Sequence, residues 1–392
     1  MHIIEEPPSP QRRFALWELG FRPFYLLASI FAALSIPLWV LQFSGLLGPV
    51  YLAGPVWHAH EMLFGFAVAV IVGFLFTAGR NWSRQATPTG LPLAGLVLLW
   101  VSGRVLVLTP FAWAAALVNV AFPLAAAFAL ATSLYKGANR RNYFFVALLV
   151  ALAAASGAVH LAQLGVVGLP AGVGLQAGLD IVLFIVAVMS GRVVPMFTNH
   201  GVPGAGATRR PEVEKAALGL VLALLAADLL GWDGLPLALL AAAAAIVHAA
   251  RWALWKPWRG LGVPLVWVLH AAYLWVPIHL ALRCLAEIGL VSASAATHAL
   301  TVGAAGGLII GMMTRTARGH TARALQADRY DVVCYVLVLT AAVVRVGVPL
   351  FAPAQTLAAV QGSALLWSAG FGLYALHYGP MLTRARLDGA PG

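Results

Sequence analysis

The sequence predicts an all-α, polytopic membrane protein, on three observations: its composition, the length of its apolar runs and the placement of its basic residues. Hydrophobic residues make up 61% of the 392-residue chain and charged residues only 9%, with a mean hydropathy of +0.89. A water-soluble domain carries about 25% charged residues, so lipid is the solvent for most of this chain. A helix needs about 20 apolar residues to cross the hydrocarbon core. Twelve such stretches occur, at 24–43, 57–78, 91–108, 111–134, 143–163, 173–195, 216–231, 235–254, 264–286, 294–315, 331–350 and 357–380. Strands of a membrane barrel would be half that length and would alternate. Residues 1–22 are polar, proline-containing and mixed in charge, unlike a secretory signal. A single integral membrane helical-bundle domain, 1–392, is therefore expected, with 1–22 and 381–392 as cytoplasmic ends.

The basic residues set the orientation, because cytoplasmic loops collect Lys and Arg. With the N-terminus inside, 21 of the 24 basic residues fall on the inner side, Arg12, Arg13 and Arg22 among them, and the outer loops hold none. Twelve spans with both termini inside follow. The net charge of +11 then reflects topology and anionic lipid headgroups, and no nucleic-acid partner is expected. Cys284 and Cys334 lie on separate spans with no C-x-x-C-H motif, which excludes covalent haem attachment and a cysteine-based zinc site.

The three remaining basic residues, Arg104, Arg283 and Arg345, lie near the outer ends of spans three, nine and eleven. An intramembrane arginine is costly and has a partner. Snorkelling to headgroups, a pairing such as Arg283 with Glu287, or an anion held at the outer face, for example the propionates of a haem, are the alternatives. The histidines sort by depth: His58, His60, His160, His279 and His298 fall on the outer side, and His248, His270 and His377 on the inner side, with His200 and His320 in basic loops. A lone histidine in a bundle is usually an interhelical hydrogen-bond partner. Five at one depth suit a nitrogen-rich redox metal or haem site.

Helix geometry restricts these roles. His58 and Glu61 are three residues apart and share a face, whereas His58 and His60 are about 200° apart on a regular helix. Either the second span begins in irregular backbone, or one imidazole binds metal and the other braces a carboxylate or a neighbouring helix. His270 and His279 are nine residues apart and on opposite faces, so they serve different surroundings. Gly303, Gly307 and Gly311 recur every four residues and make a flat face, for close helix packing or for a porphyrin plane. No repeat relates the two halves of the chain. Asp180 is placed to extend a proton path or to join two helices; Asp233, Glu5 and Glu6 read as solvated charge.

Four motifs occur in order: GFRPFYLLA from Gly20 to Ala28, WHAHEMLFGF from Trp57 to Phe66, GRVVPMFT from Gly191 to Thr198, and HAL…GLIIGMMTRTARGHTAR from His298 to Arg323. Together they resemble the NnrS family of bacterial membrane proteins, over nearly the whole chain. After the second span Thr77, Ala78, Asn81 and Trp82 follow the family's pattern, while Ser83 replaces a threonine and Arg80 a proline. The resemblance implies a haem- and copper-containing protein of the bacterial inner membrane, tied to nitric oxide in denitrification or nitrosative stress. It directs attention to His58, His60, Glu61, Arg192, His298, Arg315 and His320.

Three functions are carried forward. The first is a nitric oxide reductase-type enzyme that joins two NO molecules into N2O and water with electrons from quinol or another carrier. Its cofactors would be haem b and copper, or a second iron in place of copper. In it His58, His60, His160, His279 and His298 are the candidate metal ligands. His270, His279, His298, Arg104, Arg283 and Arg345 are candidates to hold the haem, and Glu61 to deliver protons. The second is a non-catalytic protein that binds NO, haem or copper. The third is a secondary transporter.

Overall fold

A computed structural model describes residues 14–43, 46 and 50–390; Glu5, Glu6, Arg12 and Arg13 lie outside the described residues. Twelve long helices form at the twelve apolar stretches: α1 Phe21–Phe43, α2 Gly54–Ser83, α3 Gly90–Leu106, α4 Ala112–Lys136, α5 Phe144–Gln163, α6 Ala171–Gly201, α7 Pro211–Leu229, α8 Gly234–Leu254, α9 Pro264–Glu287, α10 Ala293–His320, α11 Arg329–Phe351 and α12 Thr356–Thr383. Among the described residues, nine are long and apolar enough to cross a membrane. Of the other three, α3 is shorter, with 17 residues, α7 opens on Glu212 and Glu214, and α12 is diluted by glycine, serine, tyrosine and histidine.

The chain repeats by thirds, which is why a comparison of halves shows nothing. Units of four helices, α1–α4, α5–α8 and α9–α12, follow one another at intervals of about 120 residues, with second helices starting at Gly54, Ala171 and Ala293. Two second helices share a spaced set of residues. His60, Gly65, Gly73 and Arg80 in α2 have the same separations as His298, Gly303, Gly311 and Arg318 in α10. All three second helices carry a small-small-Arg segment in their C-terminal half: Ala78-Gly79-Arg80, Ser190-Gly191-Arg192 and Thr316-Ala317-Arg318.

The packing follows the same order. The fourth helix of each unit lies on the first helix of the next, α4 on α5, α8 on α9 and α12 on α1, so the units close into a ring. At the last joint the Ala15 amide donates to the Thr383 carbonyl at 2.8 Å, and Arg22 donates to the carbonyls of Leu382 and Arg384. The three second helices face the middle of the ring. Gly303, Gly307 and Gly311 lie against Trp275, Ala272 and Val268 of α9, so their flat face is used for helix packing and is covered.

Candidate functional site

Backbone geometry changes where the histidines of α2 point. A π-helical stretch, Glu61–Ala67, begins immediately after His60, and another, Ala299–Gly306, immediately after His298. Such wide turns are rare and concentrate at functional sites. On a regular helix His58 and Glu61 would share a face; here Glu61 is bound by His60, whose Nδ1 donates to its Oε1 at 2.8 Å. His58 turns instead to a cavity on the other side of α2 and stacks on Trp39, ring centroids 5.0 Å apart.

Each unit builds a polar cluster from its second and third helices and the first helix of the next unit. In the first, Glu61 lies 3.0 Å from Arg104 of α3, and Arg104 donates to Asn119 of α4. From α5, His160 sets its ring against His60 with centroids 4.8 Å apart. The Tyr51 hydroxyl lies 3.1 Å from His160 Nδ1, and Ser156 Oγ 3.4 Å from His60 Nε2. Burial pushes the Tyr51 hydroxyl up to about 12, so it is protonated at neutral pH. Both imidazoles are thus held through Nδ1. His160 Nε2 is buried without a partner, as is the second Glu61 oxygen.

In the second cluster Asp180 of α6 and Asp228 of α7 share Arg283 of α9: Arg283 donates to Asp180 at 3.1 Å and to both oxygens of Asp228. This replaces the local pairing with Glu287, whose carboxylate accepts instead from the Gly234 amide. Asp180 joins helices and is also bound by Gln176. His279 donates from Nδ1 to the Ala296 carbonyl at 2.8 Å, leaving Nε2 buried and unpartnered.

The third cluster differs. His298 of α10 donates from Nδ1 to the Ser294 carbonyl at 2.7 Å, which fixes Nε2 as the free electron pair. Arg345 of α11 stands near the place of Arg104 and Asp228 at the C-terminal ends of α3 and α7, and it donates to Ser294 Oγ at 3.4 Å. No carboxylate among the described residues pairs with it. Beside it opens a cavity of about 370 Å³, lined by His58, His298, Arg345 and otherwise mainly apolar side chains of α1, α2, α6, α10 and α12. That size is ordinary for a small-ligand or cofactor pocket.

These residues fit the groups the sequence suggests. Two imidazoles from different helices reach one apolar cavity, with an arginine free for an anionic substituent, which is the chemistry of a haem pocket. His60 and His160 offer two nitrogen donors braced by Glu61 and Tyr51, which suits copper. Elsewhere His270 Nε2 meets Thr198 Oγ1 at 2.8 Å, Arg192 lies over Phe144 and Phe145 and donates to Asn142, and Arg315 lies 3.7 Å over Phe197. His320 packs on Phe21, and His200 is exposed. Asp328, Asp331 and His377 are close enough to hold a metal. Arg318 already donates to both carboxylates there at 2.6 Å, so a cation of the chain itself fills that role. Tyr51, Asn119, Ser156 and Asp228 were not legible as site residues in the sequence. Of these only Asn119 carries a sequence signal, as the single amide of an apolar span.

Fold and site together define a polytopic helical membrane protein with histidine-rich polar centres toward one end of its bundle. The chain belongs to the NnrS protein family, whose profile matches residues 15–386. None of the curated proteins matches it. Family membership links it to nitric oxide.

Proposed function

We propose that the protein binds nitric oxide at a haem held in the His58–His298 cavity and reduces it to N2O, in the bacterial inner membrane, with twelve crossings and both termini cytoplasmic. The observation that carries the reading is the pairing, in one apolar cavity, of two imidazoles from different units with the one cluster arginine that has no carboxylate partner.

One of His58 and His298 would hold the haem iron and the other would line the space left for the diatomic ligand, with Arg345 on a propionate. Haem bound there would supply an iron that takes a diatomic ligand and passes single electrons. His60 and His160 would hold copper or a second iron close by. Joining two NO molecules to N2O and water consumes two electrons and two protons, the electrons coming from quinol or another carrier. Glu61 is the acid nearest the imidazole pair. Its unsatisfied oxygen can take a proton from water and hand it on, while Arg104 and His60 fix its other oxygen. The apolar lining excludes bulk water from the cavity.

The test is a reduced-minus-oxidised spectrum with metal analysis of purified protein, followed by NO consumption at an electrode with added quinol. A haem b band lost in His58→Ala or His298→Ala supports the site, and its absence from the wild type sinks it. Continued consumption identifies an enzyme; a stoichiometric stop identifies a protein that only binds NO. Transport is less well supported, because among the described residues the inner space is lined by no charged group that could hold a charged substrate.

A further inference from the structure

The three second helices line two adjoining spaces along the middle of the ring. Inward of the His58–His298 cavity lies a second space of about 100 Å³, between α2, α6, α10 and Tyr25 of α1. The two share Ala67, Val182, Ala305 and Ile309, so they meet along a seam with these four side chains between them. Ala67 closes the first π-helical stretch and Ala305 is the last residue but one of the second. Both irregular turns therefore end by placing an alanine, the smallest side chain with a Cβ, where the two spaces meet.

We infer that this seam is a passage for small uncharged gas molecules between the inner half of the bundle and the His58–His298 cavity. The inference rests on the proposed reading of that cavity as a nitric oxide site. Size argues for the occupant: a protein cavity of about 150 Å³ admits benzene or xenon, so the inner space of about 100 Å³ takes a diatomic gas and is too small for a quinol ring with its tail. Chemistry argues the same way. The inner lining has the hydroxyls of Tyr25 and Ser190, the thioethers of Met189 and Met312, and no charged group. An ion would lose its hydration there without compensation, and two hydroxyls do not make a continuous proton relay. Nitric oxide is uncharged and dissolves in hydrocarbon, so it crosses such a seam without that cost.

Two measurements on the purified full-length protein test the passage. In the ferrous protein, carbon monoxide released by a light flash should rebind from solution at least ten-fold more slowly in Val186→Trp and Ser190→Phe, which narrow the inner space without lining the haem cavity, with haem content and spectrum unchanged, and faster in Ile309→Ala. Unaltered rates in all three haem-loaded variants would overturn the inference. Xenon titration followed by 129Xe NMR needs no haem: the wild type should show a saturable shift that Ala305→Phe removes. An identical xenon response in wild type and variant also overturns it. If the wild type holds no haem, the functional reading fails by itself, and the xenon comparison still decides whether the seam admits gas.

Discussion

Glu61 and Arg104 stand 3.0 Å apart with side chains only 0% and 9% exposed, so the bundle encloses an ion pair between the second and third helices of its first unit. His60 donates to the same carboxylate oxygen that faces Arg104, and Asn119 takes a hydrogen bond from the guanidinium. The pair therefore couples α2, α3 and α4 and orients His60. A buried pair contributes little over an apolar replacement, but removing one partner strands the other charge.

That asymmetry predicts the outcome of mutation. Arg104→Ala should destabilise the protein by about 3–5 kcal/mol, while the double variant Glu61→Gln/Arg104→Gln should lose clearly less than the sum of the single changes. Thermal unfolding of detergent-purified protein measures both. Additive losses would mean that the two side chains do not act as a pair.

The two histidine groups should separate two bound groups. One of His58→Ala and His298→Ala should abolish haem while leaving copper or non-haem iron in place. His60→Ala and His160→Ala should remove that second metal and preserve the haem band. Metal analysis beside the optical spectrum reads both at once. A single variant that lost both in correctly folded protein would merge the sites.

Arg345 should matter for the ligand and hardly for the fold, since no carboxylate of the described chain is left unpaired when it goes. Arg345→Ala is expected to leave the unfolding temperature within a few degrees of the wild type and to lower haem occupancy. Arg345→Lys should restore part of it, as a point charge replaces a two-pronged donor. Equal occupancy in all three proteins would remove Arg345 from the site.

How much of this was legible in the sequence depends on distance along the chain. Helix positions followed directly from apolar length, because lipid forces each span to satisfy its own backbone. The motif around His58, His60 and Glu61 also stood out, as polar groups in an apolar run. Which imidazole meets Glu61 did not, because a regular period of 3.6 residues aligns His58 with it, and the wide turn after His60 replaces that period. The partners of Arg283 were equally hidden: Asp180 and Asp228 are 103 and 55 residues away, and only ring closure brings them together.

The acidic cluster at the N-terminal end of α11 gives a pH-dependent prediction. Burial pushes the Asp328 carboxyl up, but the Asp331 backbone amide, His377 and Arg318 outweigh it, so the group lies below its ordinary value. A depressed carboxyl contributes stability above its unfolded value of about 3.9, and that contribution disappears as pH falls through the folded value. Wild-type melting should therefore fall steeply below about pH 4, and Asp328→Asn should be lower at neutral pH and flatter in acid. Asparagine still caps a helix, whereas Asp328→Ala also loses the capping box with Asp331 and should cost about 1 kcal/mol more. Parallel acid profiles for wild type and Asp328→Asn would show that this charge is not what titrates.

Gly65 offers the sharpest check on the π-helical stretch of α2. A Cβ there would run into the Arg104 guanidinium and approach Phe31, and the Trp100 indole already donates to the Gly65 carbonyl at 2.9 Å. The backbone cannot move away from α3 without losing that bond. Gly65→Ala should therefore displace Arg104 from Glu61 and destabilise the protein, although alanine is intrinsically better in a helix by about 0.5–1 kcal/mol. Gly95, on the exposed face of α3, has nothing within 4 Å of such a Cβ. Gly95→Ala should express that intrinsic gain and raise the melting temperature. Combining Gly65→Ala with Arg104→Ala should cost little beyond Arg104→Ala, since the colliding group has gone. If Gly65→Ala were as well tolerated as Gly95→Ala, Arg104 could not be held over the π-helical turn in the position that pairs it with Glu61.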